Sequence, residues 1–333
     1  MIITGEEIDA RLQDLWPGVS AGPPVPLSGG FWASMYRVRV TGQPDGVAPE
    51  VVVRFAPHET MGAKEAEVQR ALAGQGFPTP TVWASGPDEA RDGWWSVMDF
   101  SAGTPLLAGI DGIGVLRSSP LLLRVLPAQL AEAMAALHRV DPAPVTDAVR
   151  AVAPEVAWSA LDQLGHLRAG AAALGRDDVV TALDRLAEGR PGTGREVLCH
   201  GDVHPFNVLT RGDELVMLDW TGALVADPCF DVAFTELLLA NLPVPVPRPL
   251  RAIRRLAGRA LAQRFLAAYA AAHPAASLEH LAWFRALHGA RVLVEVARLR
   301  AAHVGDPGGH PFVLVAPAAA SHLTAATGVD IDG

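Results

Sequence analysis

Residues 196–220 read EVLCHGDVHPFNVLTRGDELVMLDW, and four side chains in this stretch could do chemistry together: Asp202, His204, Asn207 and Asp219. Transfer of a phosphoryl group from ATP needs a carboxylate that orients and deprotonates a hydroxyl, and oxygen ligands that hold Mg²⁺ on the phosphates. Asp202 is the candidate catalytic carboxylate. Asn207, five residues on, and Asp219 are the candidate metal ligands, offering an amide and a carboxylate oxygen. Histidine suits Mg²⁺ poorly, so His204 is expected to tether the loop. A carboxylate of ordinary acidity suffices as base where the transition state is loose and positioning does more of the catalysis.

The elements that must place these residues are legible in part. Two apolar runs, 196–199 and 214–220, flank a turn-rich loop, and LVMLDW bounded by Arg-Gly-Asp predicts a buried strand. Upstream, Ile8, Leu12 and Leu15 space out a short amphipathic helix, and a proline-rich link follows over 17–26. Residues 27–40 read as strand, glycine turn, strand, with Tyr36, Val38 and Val40 alternating with Arg37 and Arg39. VVVRF, residues 51–55, is a buried strand with one charge, Arg54; a helix spans 61–73; a strand begins at Trp94. Beyond Gly103 the pattern is helical: an amphipathic helix over 127–140 that ends at His138 and Pro142, two more within 155–189, another over 278–302, and an alanine-rich tail from 311 expected to dock weakly or fray.

HGDVHPFN followed by MLDW and ADPCFDVAF resembles the aminoglycoside phosphotransferase and choline kinase-like enzymes, with motifs in order from about residue 25 to 240. The D-x-x-x-x-N spacing of Asp202 and Asn207 is that of a kinase catalytic loop. The resemblance implies an α+β, bilobal protein-kinase-like fold. Its N-terminal lobe (1–100, antiparallel sheet plus helix) has a hinge at 99–103. Its helical C-terminal lobe (104–333) carries the catalytic loop 200–207 and a metal-binding strand 214–220. It further implies that Ser28, Gly29 and Gly30 cover the ATP phosphates. Arg54 would stand where lysine commonly holds the α- and β-phosphates, a departure that keeps charge and bidentate reach. A glutamate of the next helix, Glu65 or Glu67, would pair with Arg54, and the family pattern favours Glu65; Lys64 would then point off the site. Met98 would line the adenine pocket, the backbones of Asp99 and Ser101 would meet the purine edge, and Asp231 would brace the catalytic loop. His138 is expected to be a core hydrogen-bonder.

Composition limits the partners. The 333 residues carry a net charge of −9, which disfavours nucleic acid as a partner. Two cysteines, Cys199 and Cys229, make no disulfide framework and suit a reducing cytoplasm. No apolar run is long enough to span a membrane. Lys64, followed by Glu65, fits no Walker A motif; His58-Glu59 lacks a second histidine; and GVSAG, residues 18–22, sits among prolines unsuited to a nucleophile elbow. Gly201 in place of the H-R-D arginine, and Asp-Trp in place of Asp-Phe-Gly, disfavour a protein kinase. The expected activity is Mg²⁺-dependent phosphorylation of a small-molecule hydroxyl. The rival is a nucleotide-binding pseudokinase with a regulatory or scaffold role. Arg251, Arg255 and Arg259 share one helical face, read as solvated or as a docking face for an acidic partner. An acidic acceptor pocket could draw on Glu236, Glu279, Glu295 and Asp306.

Overall fold

A computed structural model describes residues 3–27, 33–107, 112–192, 194–243, 246–302 and 310–332. In chain order its elements are α1 (Gly5–Leu15), β1 (Ser20–Ala21), β2 (Val25–Leu27), β3 (Ser34–Thr41), β4 (Glu50–Ala56), α2 (Glu59–Gly74), β5 (Val82–Asp88), β6 (Gly93–Asp99), β7 (Thr104–Pro105), α3 (Gly112–Leu137) and α4 (Pro142–Val152). Then follow α5 (Ala160–Ala173), α6 (Asp177–Glu188), β8 (Val197–Cys199), β9 (Val208–Arg211), β10 (Glu214–Met217), β11 (Leu224–Ala226), α7 (Cys229–Asn241), α8 (Arg251–Ala272), α9 (Leu281–Ala301) and α10 (Pro311–Thr327). The chain is a mixed α+β protein in two compact units. One comprises Met1–Thr104, Asp141–Val156 and Leu209–Thr221; the other comprises Pro105–Val140, Ala157–Val208 and Gly222–Gly333.

The first unit is built on an antiparallel sheet in the order β1-β3-β4-β6-β5, with β2 also on β3. Successive side chains of a strand point to opposite faces. In β4, Val51, Val53 and Phe55 therefore share one face, where they pack with Val38, Val40 and Val97 against Ile8, Leu12 and Trp16 from α1 and its cap. Thr4 and Glu7 close a capping box that starts α1. Arg54 points to the other face. Because β4 is an inner strand between β3 and β6, that arginine is buried rather than exposed at an edge. Helix α2 lies very close to β6: a methyl group at Gly62 would stand 2.3 Å from Trp94 Cβ.

Three local readings are corrected. The proline-rich link carries the short strands β1 and β2. Pro142 starts a helix instead of merely following one, because proline fits the first helical turn and Asp141 caps the amide of Ala143 at 3.0 Å. Strand β10 ends at Met217, so Asp219 stands in the turn beyond it with φ 65°.

The second unit is largely helical. Helix α7 is apolar around most of its circumference, with Phe230, Val232, Phe234 and Leu237 buried, and such a helix belongs in a core. Helices α8 and α9 both pack against it. The tail does not fray: α10 buries Val315, Ala316, Ala319, Ala320 and Leu323 and lies along α9. Its small residues permit this approach, since Gly289 of α9 faces the Ala319 carbonyl where a methyl would be 2.5 Å away. Strand β8 pairs antiparallel with β11, Cys199 opposite Leu224.

Gly62→Ala tests the α2–β6 contact. Alanine's better helix propensity gains at most about 1 kcal/mol, while forcing a methyl against Trp94 costs about 1–3 kcal/mol. Denaturant unfolding is expected to show a net loss of stability.

Candidate active site

In the first unit the structure brings Arg54, Glu65 and Asp219 into one electrostatic neighbourhood. The Arg54 guanidinium pairs with Glu65 Oε1 of α2, and both side chains are at most 10 % exposed. Burial pulls the Arg54 pKa below its ordinary value, and the charge of Asp219 counters that pull. The other Glu65 oxygen, Oε2, is buried without a hydrogen bond among the described residues. Glu67, the alternative partner, is taken by Arg70.

Asp219 occupies the left-handed region, unusual for a residue with a side chain but most tolerated by Asn and Asp. Its Oδ1 accepts the Thr221 hydroxyl at 2.7 Å and the Thr221 amide at 3.4 Å, a local turn that compensates the backbone conformation. The second carboxylate oxygen makes no hydrogen bond among the described residues. Lys64 does not point away. It is 4 % exposed, and its Nζ donates to the Thr221 carbonyl at 3.1 Å.

In β6, Met98 Sδ accepts from Gln69 Nε2 at 3.5 Å. The Asp99 amide donates to the Thr81 carbonyl at 3.0 Å, and the Asp99 carboxylate accepts from the Trp83 indole at 2.7 Å. Ser101 Oγ is buried without a hydrogen bond among the described residues. Ser28, Gly29, Gly30 and Asp306 lie outside the described residues.

The second unit carries the loop with Asp202 and Asn207. Gly201 has φ 77°, and a methyl there would stand 2.1 Å from the Gly222 carbonyl oxygen, so only glycine fits. Asp231, fully buried, receives two backbone amides: His200 on Oδ2 at 2.8 Å and Gly201 on Oδ1 at 2.6 Å. His138 Nε2 lies 3.2 Å from Asp231 Oδ2, and its Nδ1 is 2.7 Å from the Tyr269 hydroxyl. Burial would raise the Asp231 pKa; the hydrogen bond and charge of His138 override it and hold the carboxyl below its ordinary value. Asp231, His138 and Cys199 are close enough to suggest a metal cluster, but both His138 nitrogens already have partners, so the group reads as a structural brace.

Downstream the loop is pinned again, Thr235 Oγ1 donating to the Val203 carbonyl at 2.8 Å. Asn207 Nδ2 donates to the Asp202 carbonyl at 3.0 Å and lies 3.4 Å from Asp202 Oδ2. With its nitrogen so engaged, Asn207 has its amide oxygen to offer a cation. That oxygen and the second Asp219 oxygen are hard donors of the kind Mg²⁺ takes.

Asp202 is about a quarter exposed and sits among cationic or dipolar neighbours: His204 Nε2 at 3.5 Å and Arg291 Nη2 at 3.7 Å. Burial pushes its pKa up, but the His204 hydrogen bond and charge, then Arg291 and His200, outweigh it and hold the carboxyl down to about 2. The reading of an ordinary carboxylate is thus corrected. Arg291 also donates to the Gly201 carbonyl at 2.5 Å and stacks 4.6 Å over the Phe234 ring. Arg291 comes from α9, 90 positions after Gly201, and nothing in the local motif announces it.

Residues 24–235 match the model of a family described as the phosphotransferase enzyme family. The chain belongs to that family. No curated protein gives a significant match to the phosphotransferase. Its fold is similar to that of a putative aminoglycoside phosphotransferase from Ralstonia eutropha, with TM-score 0.66, 17% identity, 97% of this chain and 98% of that one. A thermostable mutant of aminoglycoside phosphotransferase APH(4)-Ia, in ternary complex with ADP and hygromycin B, gives TM-score 0.57 at 16% identity over 98% and 99% of the two chains. Macrolide 2'-phosphotransferase MphH from Brachybacterium faecium gives TM-score 0.54 at 18% identity over 95% and 98%. The phosphotransferase therefore has the mixed α+β, protein-kinase-like fold of the aminoglycoside kinases. Among the described residues no helix is long and apolar enough to cross a membrane.

Two outcomes test this geometry. Asp231→Ala would strip the partners from two buried amides and from His138, costing about 3–5 kcal/mol as for a broken buried pair; equilibrium unfolding measures it. The depressed Asp202 pKa has a definite sign. Its ionised form is favoured by the fold, so its contribution to stability is complete above the ordinary carboxylate pKa near ~4 and is lost as pH falls toward about 2. Carboxylate NMR is expected to place the Asp202 midpoint at about 2. His204→Gln should move it upward, and the stability lost between those two pH values should shrink with it.

Proposed function

We propose that this phosphotransferase moves the γ-phosphate of ATP to a hydroxyl of a small molecule, with Asp202 as the catalytic carboxylate. The observation that carries the reading is the loop geometry around Asp202. The Asp202 carboxylate is held ionised by His204 and Arg291, the Asn207 amide nitrogen donates to the Asp202 carbonyl at 3.0 Å and lies 3.4 Å from its carboxylate, and the loop backbone is fixed on buried Asp231. A base kept ionised this firmly is a weak proton acceptor. It fits a transition state in which the hydroxyl proton leaves late and orientation contributes most.

Asp202 orients the hydroxyl through one carboxylate oxygen and takes its proton as the new P–O bond forms and the bond to the ADP oxygen breaks. Asn207 and Asp219 would hold Mg²⁺, which when bound neutralises charge on the β- and γ-phosphates. Arg54, positioned by Glu65, would donate to the α- and β-phosphate oxygens, where a planar guanidinium grips two at once. Ser28, Gly29 and Gly30 would supply backbone amides to the phosphates, and Met98, Asp99 and Ser101 would border the purine. The ADP complex of APH(4)-Ia supports the choice of nucleotide. The hygromycin B in that complex and the macrolide enzyme support a hydroxylated antibiotic or comparable metabolite as acceptor. A reducing cytoplasm suits two buried free thiols.

Arg54 in the lysine position favours one rival, a pseudokinase that binds nucleotide without transferring phosphate. ATP turnover with Mg²⁺ in the presence of hydroxylated antibiotics and amino sugars separates the two. Asp202→Ala is expected to cut kcat by about 10²–10⁴-fold, the usual worth of a positioned acid–base group, with nucleotide affinity retained. Nucleotide binding with no turnover in the wild type, unaltered by Asp202→Ala, favours the rival.

A further inference from the structure

The chain contains a single lysine among 27 basic residues. That lysine is not on the surface, where lysine almost always lies: Lys64 is 4 % exposed inside α2. Burying an ammonium is costly unless it is paired, so its placement calls for a reason. Two contacts made by neighbouring residues of α2 supply one. Glu65 pairs with Arg54 on β4, and Lys64 donates to the Thr221 carbonyl at 3.1 Å. Thr221 in turn holds Asp219 through its hydroxyl at 2.7 Å and its amide at 3.4 Å.

The turn so held is under conformational load. Asp219 has φ 65°, a region that side chains other than Asn and Asp rarely enter and that persists where surrounding contacts over-determine it. Among the described residues the hydrogen bonds that Asp219 Oδ1 accepts come from Thr221, and Lys64 of α2 anchors the Thr221 carbonyl. We infer that Lys64 is a positioning residue: through the Thr221 carbonyl it fixes the Asp219–Thr221 turn, so that Asp219 presents its second oxygen to the metal of the nucleotide. Helix α2 then sets two groups from adjacent positions, the phosphate-facing cation through Glu65 and the metal-facing carboxylate through Lys64. This inference rests on the phosphotransfer reading and adds to it a residue outside the reacting shell. Outer-shell partners of a metal ligand tune affinity by restricting where the ligand's oxygen points.

The test uses the full chain and Mn²⁺ as the probe, its binding read by electron paramagnetic resonance with and without the non-hydrolysable ATP analogue AMP-PNP. Lys64→Met keeps length and apolar volume and removes the donor. It is expected to weaken Mn²⁺ binding in the AMP-PNP complex about tenfold, within the range for lost outer-shell contacts. The Mg²⁺ concentration for half-maximal turnover should rise in parallel. Thr221→Val, which removes the hydroxyl contact to Asp219, is expected to act in the same direction. Because both residues act on one turn, the double variant should be little worse than the worse single one.

Wild-type affinity in both single variants overturns the inference, and so does strict additivity in the double variant, which would place the action of Lys64 elsewhere. If Lys64→Met does not fold, Lys64→Gln takes its place in the cycle, judged by the same outcomes. A wild-type chain that binds no Mn²⁺ with AMP-PNP fails the phosphotransfer reading itself. A wild type that binds normally beside unaffected variants fails this inference alone.

Discussion

The loop that carries Asp202 and Asn207 depends on one buried carboxylate. Asp231 accepts the amides of His200 and Gly201 and is closed off by His138. Two adjacent amides on the two oxygens of one rigid group fix the peptide plane between them, and with it the direction in which the chain leaves toward Asp202. The burial of Asp231 is what makes the brace stiff, because a buried acceptor cannot trade these amides for water without large cost. Gly201 is the counterpart of that brace. A loop pulled this tightly against Gly222 has room for no side chain at that position.

A second set of constraints works in the first unit, and it is electrostatic. Arg54 is buried, and Glu65 offsets the cost of burying it. The pair also fixes which way the guanidinium faces. Alternation along β4 puts Arg54 opposite the face that α1 covers, and α2 meets it there. Asp219 adds negative charge to the same neighbourhood. Charged groups gathered this closely and buried are common at functional sites, though structural ion pairs also gather them.

Much of this was readable from the chain. The loop's residue types and their five-residue spacing were legible because they lie within one short segment. Alternation in 36–40 and the apolar run 51–55 gave strands, since a strand's pattern follows from its own two faces. The residues alone left Glu65 and Glu67 open as partner of Arg54, and the family resemblance chose Glu65. Other features were misread for physical reasons. Pro142 looked like a stop because proline ends a helix as readily as it starts one. The alanine-rich tail looked weak because its stability comes from close approach to Gly289 of α9, which no local propensity records.

The sequence by itself therefore determined the candidate residues, Asp202, Asn207 and Asp219, and most of the elements that run into them. Tertiary structure alone decided the long-range charges around the loop and the Asp219 turn. Arg291 reaches Gly201 and Asp202 from a helix 90 positions away, and Lys64 turns inward to Thr221 across 157 positions. Spacing within a segment is set by covalent geometry and shows in the letters. A contact between distant segments is set by how whole faces pack, and a charged residue's type does not say whether that packing exposes it or buries it.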